Sequence, residues 1–247
     1  MTHWTIVGAG RVGTFLAEIA PQQSLIRRGE VIPDGNGPIV VCTRNDDLDA
    51  VLKATPKHRQ NELIFVQNGM LISWFEQHGL SNVTQALLYF AISKRGDVPV
   101  DGGGTIVTGP RSQEFVDFLA KGGIKATVVG PLEYKQGMAE KYLWNCIFGL
   151  LCHAKGCTVG EVVSEHFSDY DALCNELGAL TAQGLGISLK PGWVERLAEY
   201  SNSISAYRGA VKEWPWRNGW LWSLAHSPLH RHWLQVATVD IPSSVGQ

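Results

Sequence analysis

The chain lacks most of the features that would direct it toward a membrane, a nucleic acid or a metal. No apolar run in its 247 residues approaches the ~18 needed to span a bilayer, and Met1-Thr2-His3 carries neither the basic region nor the apolar segment of a signal peptide. The expectation is a cytoplasmic protein with no membrane partner. Charge of one sign is also missing, since 21 Lys and Arg stand against 23 Asp and Glu for a formal net charge of -2, so no nucleic acid partner is indicated. Cysteines spaced for zinc are absent. Cys42, Cys146, Cys152, Cys157 and Cys174 are an odd set in mostly apolar surroundings, and they read as reduced core thiols. His226, His230 and His232 have a spacing that one helix could present, but no cysteine or carboxylate cluster accompanies them. They read as packing or surface residues, and no metal is expected. Internal repeats and low-complexity tracts are missing too.

What remains is ordinary globular composition, 45% hydrophobic and 18% charged, at a length that suits two modest domains and a small ligand. The most informative stretch lies near the start. The apolar run Trp4-Thr5-Ile6-Val7 leads into Gly8-Ala9-Gly10-Arg11-Val12-Gly13 and then a helix-compatible segment from Thr14 to Ala20. A strand, a tight glycine turn and a helix in that order form a dinucleotide-binding fingerprint: Gly8 permits the turn, Gly10 lets the backbone approach a pyrophosphate, and Gly13 allows close helix–strand packing. The phosphates would lie at the helix N-terminus.

The first half alternates short apolar runs with helix-like segments, the pattern of a doubly wound parallel sheet. Expected strands are Thr5–Val7, Ser24–Arg27, Ile39–Thr43 and Leu63–Gln67. Thr84–Ile92, Gly104–Thr108 and Ala126–Val129 are further β-like runs, with a turn region over Arg95–Gly103 and a helix over Ser112–Lys121. After Pro131 the spacing turns helical, over Glu133–Cys152, Asp169–Leu185 and Gly192–Gly209. The expected architecture is α/β: a Rossmann-type domain over about residues 1–132 and a mainly α-helical domain over about 133–247, with substrate held in a cleft between them. Trp214, Trp216, Trp220, Trp222 and Trp233 concentrate buried area near the end, suiting packing on the body of the protein or a homodimer interface, and Asp240–Gln247 reads as a tail.

A dinucleotide with a free ribose 2′-hydroxyl calls for an acidic residue at the end of the second strand, roughly 20 residues beyond the turn. Here the strand ends in Arg27-Arg28, and Arg44 follows the third strand. Guanidinium groups there suit a 2′-phosphate, so NADPH is expected, while Glu30 keeps NADH open.

Further motifs follow in order. Strand Leu63–Gln67 ends in Asn68-Gly69-Met70. Tyr89-Phe90-Ala91 precedes the glycine-rich Asp101–Gly104 and Thr105-Ile106-Val107-Thr108-Gly109. A helical stretch carries Lys141-Tyr142-Leu143-Trp144-Asn145-Cys146, then Cys157-Thr158-Val159-Gly160-Glu161; Tyr200-Ser201-Asn202-Ser203-Ile204 and Lys212-Glu213-Trp214-Pro215-Trp216-Arg217-Asn218-Gly219 complete the set. Over about residues 1–220 this series resembles the ketopantoate reductases (2-dehydropantoate 2-reductases), which are NADPH-dependent. The resemblance implies that Asn68 faces the nicotinamide, that Lys141 is the catalytic lysine and Asn145 a substrate ligand, that Glu213 takes part in catalysis, and that Ser201 or Ser203 binds the substrate carboxylate. It departs from the family at Gly149, where a second asparagine is usual, at Pro215, which interrupts an expected helix, and at an aspartate missing after the serine. All three fall on the substrate side.

Lys141 and Asn145, four residues apart, share one helix face and can address one ligand. Hydride delivery to a ketone builds negative charge on its oxygen, and an ammonium both stabilises that charge and supplies the proton. Burial or positive neighbours would lower the lysine's pKa toward the range where transfer is easiest. That chemistry suits carbonyl reduction, and the resemblance implies a 2-oxo acid as the substrate, ketopantoate first. The same chemistry on another oxo acid, or a non-catalytic dinucleotide-binding redox sensor, are the alternatives.

Overall fold

The computed structural model describes residues 2–92 and 94–241 and divides into two compact units, Met1–Tyr134 and Lys135–Gln247. The segment read as a tail lies, from residue 242 onward, outside the described residues. In chain order the first unit runs β1 (Trp4–Val7), α1 (Arg11–Ile19), β2 (Gln23–Ile26), β3 (Ile39–Val41), α2 (Leu48–Ala54), β4 (Leu63–Phe65) and α3 (Ile72–Gln77). It continues through β5 (Thr84–Leu87), β6 (Phe90–Ala91), β7 (Val100–Asp101), β8 (Thr105–Thr108), α4 (Ser112–Ala120) and β9 (Ala126–Val128). The helices α5 (Pro131–Lys155), α6 (Val159–Glu165), α7 (Phe167–Leu185), α8 (Trp193–Ser203), α9 (Asn218–Leu224) and α10 (Pro228–Val236) follow.

Near-continuous apolar strands need cover on both faces, and β1, β3 and β4, apolar apart from Thr5, are buried throughout. They form the middle of a seven-stranded sheet of order β2-β1-β3-β4-β5-β8-β9. Trp4, Ile6, Val40, Ile64, Ala86 and Val107 pack against Phe15, Leu16, Phe115 and Phe118 as one core, with the Trp4 ring stacked 3.9 Å from that of Phe118. The order 2-1-3 reverses direction between β1 and β3, and that switch point is where doubly wound sheets bind ligands.

The doubly wound sheet is parallel from β2 to β5 and mixed beyond it: β8 runs antiparallel to β5, and β9 runs parallel to β8. The expected strand Thr84–Ile92 breaks in two because Tyr89 leaves the ladder, its N–H donating to Thr105 Oγ1 at 2.9 Å and its carbonyl accepting from Gly102 at 2.7 Å. β6 then pairs with β7, inside the segment read as a turn.

Residues 27–38 connect β2 to β3 without a helix. In its place stands a buried charge cluster. The Arg59 side chain, 2% exposed, donates to Glu62 Oε2 at 2.7 Å, to the Pro33 carbonyl at 2.6 Å and to the Gly37 carbonyl at 2.8 Å. Glu62 Oε1 accepts from the Gly37 N–H at 2.9 Å and from Arg111 at 3.3 Å. Backbone groups that a helix would satisfy internally are thereby satisfied by two side chains.

In the second unit the apolar part of α5 is buried, Cys146, Ile147, Phe148, Leu150 and Leu151 being fully so. Phe148 meets Tyr170 of α7 at 4.9 Å, Trp144 donates to Ser201 of α8 at 2.9 Å, and Tyr142 meets Trp220 of α9 at 5.5 Å. The helix expected to reach Gly209 stops at Ser203, because the following carbonyls of Ser205 and Tyr207 accept the first N–H groups of α6 at 3.1 and 2.9 Å. A capping box between Thr158 and Glu161 completes that terminus. The tryptophan-rich end packs on this unit itself: Trp222 stacks on His226 at 3.9 Å, and the Lys155 ammonium lies 4.5 Å from the Trp233 ring.

Candidate active site

At the carboxyl end of β1 the backbone turns through Gly8 at φ 106°, where an added Cβ would lie 2.9 Å from the Cys42 carbonyl. Gly13 is tighter: its Cβ would fall 1.9 Å from the Gly8 oxygen. Gly10 differs from both. It is the N-cap of α1 with no side-chain hydrogen bond to the first turn, and nothing lies within 4 Å of where its Cβ would be, so the backbone there is open to close approach. Gly13→Ala should therefore destabilise the first unit by about 1–3 kcal/mol and abolish dinucleotide binding, whereas Gly10→Ala, which loses only N-cap preference, should cost at most about 1 kcal/mol and weaken the ligand. Thermal melts paired with dinucleotide titration check this.

The turn opens into a cleft of about 320 Å³ at the switch point. Gly8, Ala9 and Gly10 line it from the turn, Arg27, Arg28 and Glu30 from beyond β2, and Thr43, Arg44 and Asp47 from beyond β3, with Ile32, Val51 and Ala54 as apolar wall. Arg28 Nη2 contacts both oxygens of Asp47 at 2.9 Å, and Glu30 accepts from the Arg27 backbone N–H at 2.6 Å. The buried hydroxyl of Thr43 has no hydrogen-bond partner here. A helix N-terminus without a side-chain cap, an orphaned hydroxyl and three guanidinium groups fit a phosphorylated dinucleotide.

The remaining cofactor residues of the sequence reading lie outside this lining. Arg11 donates to the Ile92 carbonyl at 2.8 Å, Val12 packs against the core, and Gly13 holds α1 on the turn. Asn68 is exposed in the loop after β4, where its carbonyl accepts from Asn45 Nδ2 at 2.7 Å. Gln67 braces the same loop by donating to the Val41 carbonyl at 2.7 Å.

In the second unit Lys141 sits half-buried on α5, and burial, aided by the Arg217 charge, lowers its pKa to about 7. Glu213 accepts from Arg217 at 2.6 Å and is a non-glycine residue in the left-handed region, at φ 49°. Strain of that kind persists where the surroundings hold it, and it concentrates at functional sites. Lys141, Arg217 and Glu213 thus form an electrostatically linked group. Asn145 turns back on its own helix, donating to the Lys141 carbonyl at 2.8 Å. The two serines separate: Ser201 is fully buried, accepting from Trp144 and donating to Leu197 at 2.9 Å each, whereas Ser203 is exposed and donates to Tyr200 at 2.7 Å. The Ser201 hydroxyl thus links α8 to α5.

Gly149 has a structural reason. Its Cβ would lie 2.9 Å from the Ala210 carbonyl oxygen, and that of Gly209 would lie 2.9 Å from the Phe148 oxygen, so the chain crosses α5 where an asparagine side chain would stand. Pro215 lies in the first turn of a short 3-10 helix, Trp214–Trp216, before α9, and an added Cβ at Gly219 would lie 2.5 Å from the Trp214 oxygen. His230, fully buried with its pKa lowered to about 4 by burial, pairs with Asn218 at 3.0 Å. Among the described residues no group of three or more His, Cys, Asp or Glu is placed to hold a metal.

Sequence reasoning missed Asp47 and Thr43, which reach the cleft from another strand end, and Arg217, whose signal was its position four residues after Glu213. Gln67 and Asn45, which shape the Asn68 loop, were missed too.

No protein-family model and no curated protein matches the sequence. Solved structures do match. A dimeric ketopantoate reductase from Staphylococcus aureus is 18% identical with a TM-score of 0.71, covering 96% of this chain and 97% of its own. The 2-dehydropantoate 2-reductase of Methylococcus capsulatus is 13% identical with a TM-score of 0.73, over 96% and 95%. A D-mandelate dehydrogenase solved with NADH and anilino(oxo)acetate is 12% identical with a TM-score of 0.70, over 96% and 97%. The chain therefore has the fold of the ketopantoate reductases, a Rossmann-type unit followed by a helical one.

Proposed function

We propose that the protein is an NADPH-dependent oxidoreductase that reduces a 2-oxo acid to a 2-hydroxy acid, with 2-dehydropantoate to pantoate as the leading case. The observation that carries the reading is Lys141, a half-buried lysine whose proton is held near neutrality, in a chain that also builds a dinucleotide cleft. Gly8, Ala9, Gly10, Thr43, Arg27, Arg28 and Arg44 would hold the dinucleotide, which supplies the hydride when bound. Lys141 stabilises the negative charge developing on the carbonyl oxygen and donates the proton. Glu213, through its ion pair, holds Arg217 where its charge bears on Lys141. Asn68, Asn145 and one of Ser201 and Ser203 are assigned to the substrate as the resemblance implies.

One observation favours a different 2-oxo acid as the substrate. The crossing of Gly149 and Gly209 removes both the second asparagine and the space for it, leaving one polar side chain fewer on that helix. Cytoplasmic residence and a homodimer belong to the same reading, the latter measurable by sedimentation. The central experiment follows NADPH oxidation against a panel of 2-oxo acids that includes ketopantoate. Turnover of at least one acid is expected, and tight NADPH binding with no acid reduced would replace the reductase by a redox sensor.

A further inference from the structure

Arg28 lines the dinucleotide cleft already engaged, Nη2 lying 2.9 Å from each oxygen of Asp47. Asp47 occupies the N-cap position of α2, where an aspartate ordinarily accepts a first-turn N–H, yet it makes no cap hydrogen bond. Its carboxylate is turned to Arg28 instead. Glu30, the other carboxylate lining the cleft, accepts from the Arg27 backbone N–H at 2.6 Å and closes the turn after β2. The Arg28 side chain is 84% exposed and that of Asp47 33%, so the pair is solvent-screened and exchanges readily for a stronger anion.

We infer that Asp47 sets the dinucleotide preference of this cleft by competing with the ligand's 2′-phosphate for Arg28. The inference rests on the reading of the cleft as a dinucleotide site. A dinucleotide with a free 2′-hydroxyl enters with the Arg28–Asp47 pair intact and can donate that hydroxyl to the carboxylate. A 2′-phosphate must take the Arg28 donors away from Asp47 and then lie beside the displaced negative charge. Arg27 and Arg44 draw the phosphate in, and Asp47 tempers the preference they create.

The test is calorimetric titration of the full chain and its D47N, R28Q and D47N/R28Q variants with NADPH and with NADH, each variant first shown to melt like the parent. D47N should tighten NADPH by about three- to ten-fold without tightening NADH, R28Q should weaken NADPH, and D47N should have no effect in the R28Q background. An unchanged NADPH affinity in D47N overturns the inference. So does equal tightening in the R28Q background, which would mark a bulk charge effect, or weakening of both ligands, which would make Asp47 a structural support. If the parent binds neither dinucleotide, the reading of the cleft falls and takes the inference with it; if the parent binds NADPH and D47N changes nothing, only the inference falls.

Discussion

Replacing Lys141 by methionine should lower turnover by about 10²–10⁴-fold while leaving NADPH titration unchanged. The magnitude is that of a positioned proton donor, and the loss should appear in kcat because the ammonium acts on charge that exists only as the hydride arrives. Arg27, Arg28 and Arg44 belong to the other compact unit, so the dinucleotide's binding is a separate measurement. The pH profile carries a second signature. Burial first, and the Arg217 charge second, lower the lysine from 10.5 to about 7. An acid must be protonated to act, so kcat/KM should fall as pH rises through about 7. Arg217→Met should move that fall to higher pH.

The same shift has a consequence for stability. Between pH about 7 and 10.5 the unfolded chain keeps a proton on Lys141 that the folded chain has released, so this group makes stability rise with pH across that window. Below it the folded protein holds a desolvated ammonium at a cost. Lys141→Met should therefore melt higher than the parent at pH 6, with the gain shrinking toward pH 10. A variant that is inactive yet more stable separates catalysis from damage to the fold, and a parent and variant with equal turnover would remove Lys141 from the chemistry.

The parts of the molecule legible in the sequence are those written in consecutive residues. β1, β3 and β4 announce themselves as near-continuous apolar runs because both their faces are covered, and the glycine turn is readable because Gly8 and Gly13 answer to backbone a few residues away or one strand over. α5 and α7 show through their helical spacing. What escaped depends on partners distant in the chain. The reversal of β8 and β9 rests on pairings between strands about 20 residues apart, the early end of α8 on the donors of α6, and the Arg28–Asp47 pair on two strand ends that only the fold makes neighbours. Ser201 and Ser203 look alike in sequence, and only Trp144, 57 positions away, separates a buried hydroxyl from an exposed one.

Arg59 is the extreme case of such a residue, and Arg59→Met should destabilise the protein by about 3–5 kcal/mol, the cost of breaking a buried ion pair from one side. Glu62 would remain, its side chain 11% exposed, with Arg111 at 3.3 Å as its remaining cationic partner, while the carbonyls of Pro33 and Gly37 would lose their donors. At about 2–4 °C per kcal/mol for a chain of this size, the melting midpoint should drop by roughly 10 °C. Arg59→Lys should lie between parent and Met variant, because one ammonium cannot reproduce a planar fork that reaches a carboxylate and two carbonyls together. Adding Glu62→Leu to Arg59→Met removes a carboxylate left with only the longer Arg111 contact and should recover part of the loss, but not all of it, since the Gly37 N–H also loses its acceptor. Residues 27–38, which this cluster holds in place of a helix, include Glu30 and Ile32 of the cleft wall, so NADPH affinity should fall along with the midpoint. A Met variant melting within a degree or two of the parent would show that the connection from β2 to β3 is held by its own packing, and that the buried arginine is not what shapes the cleft.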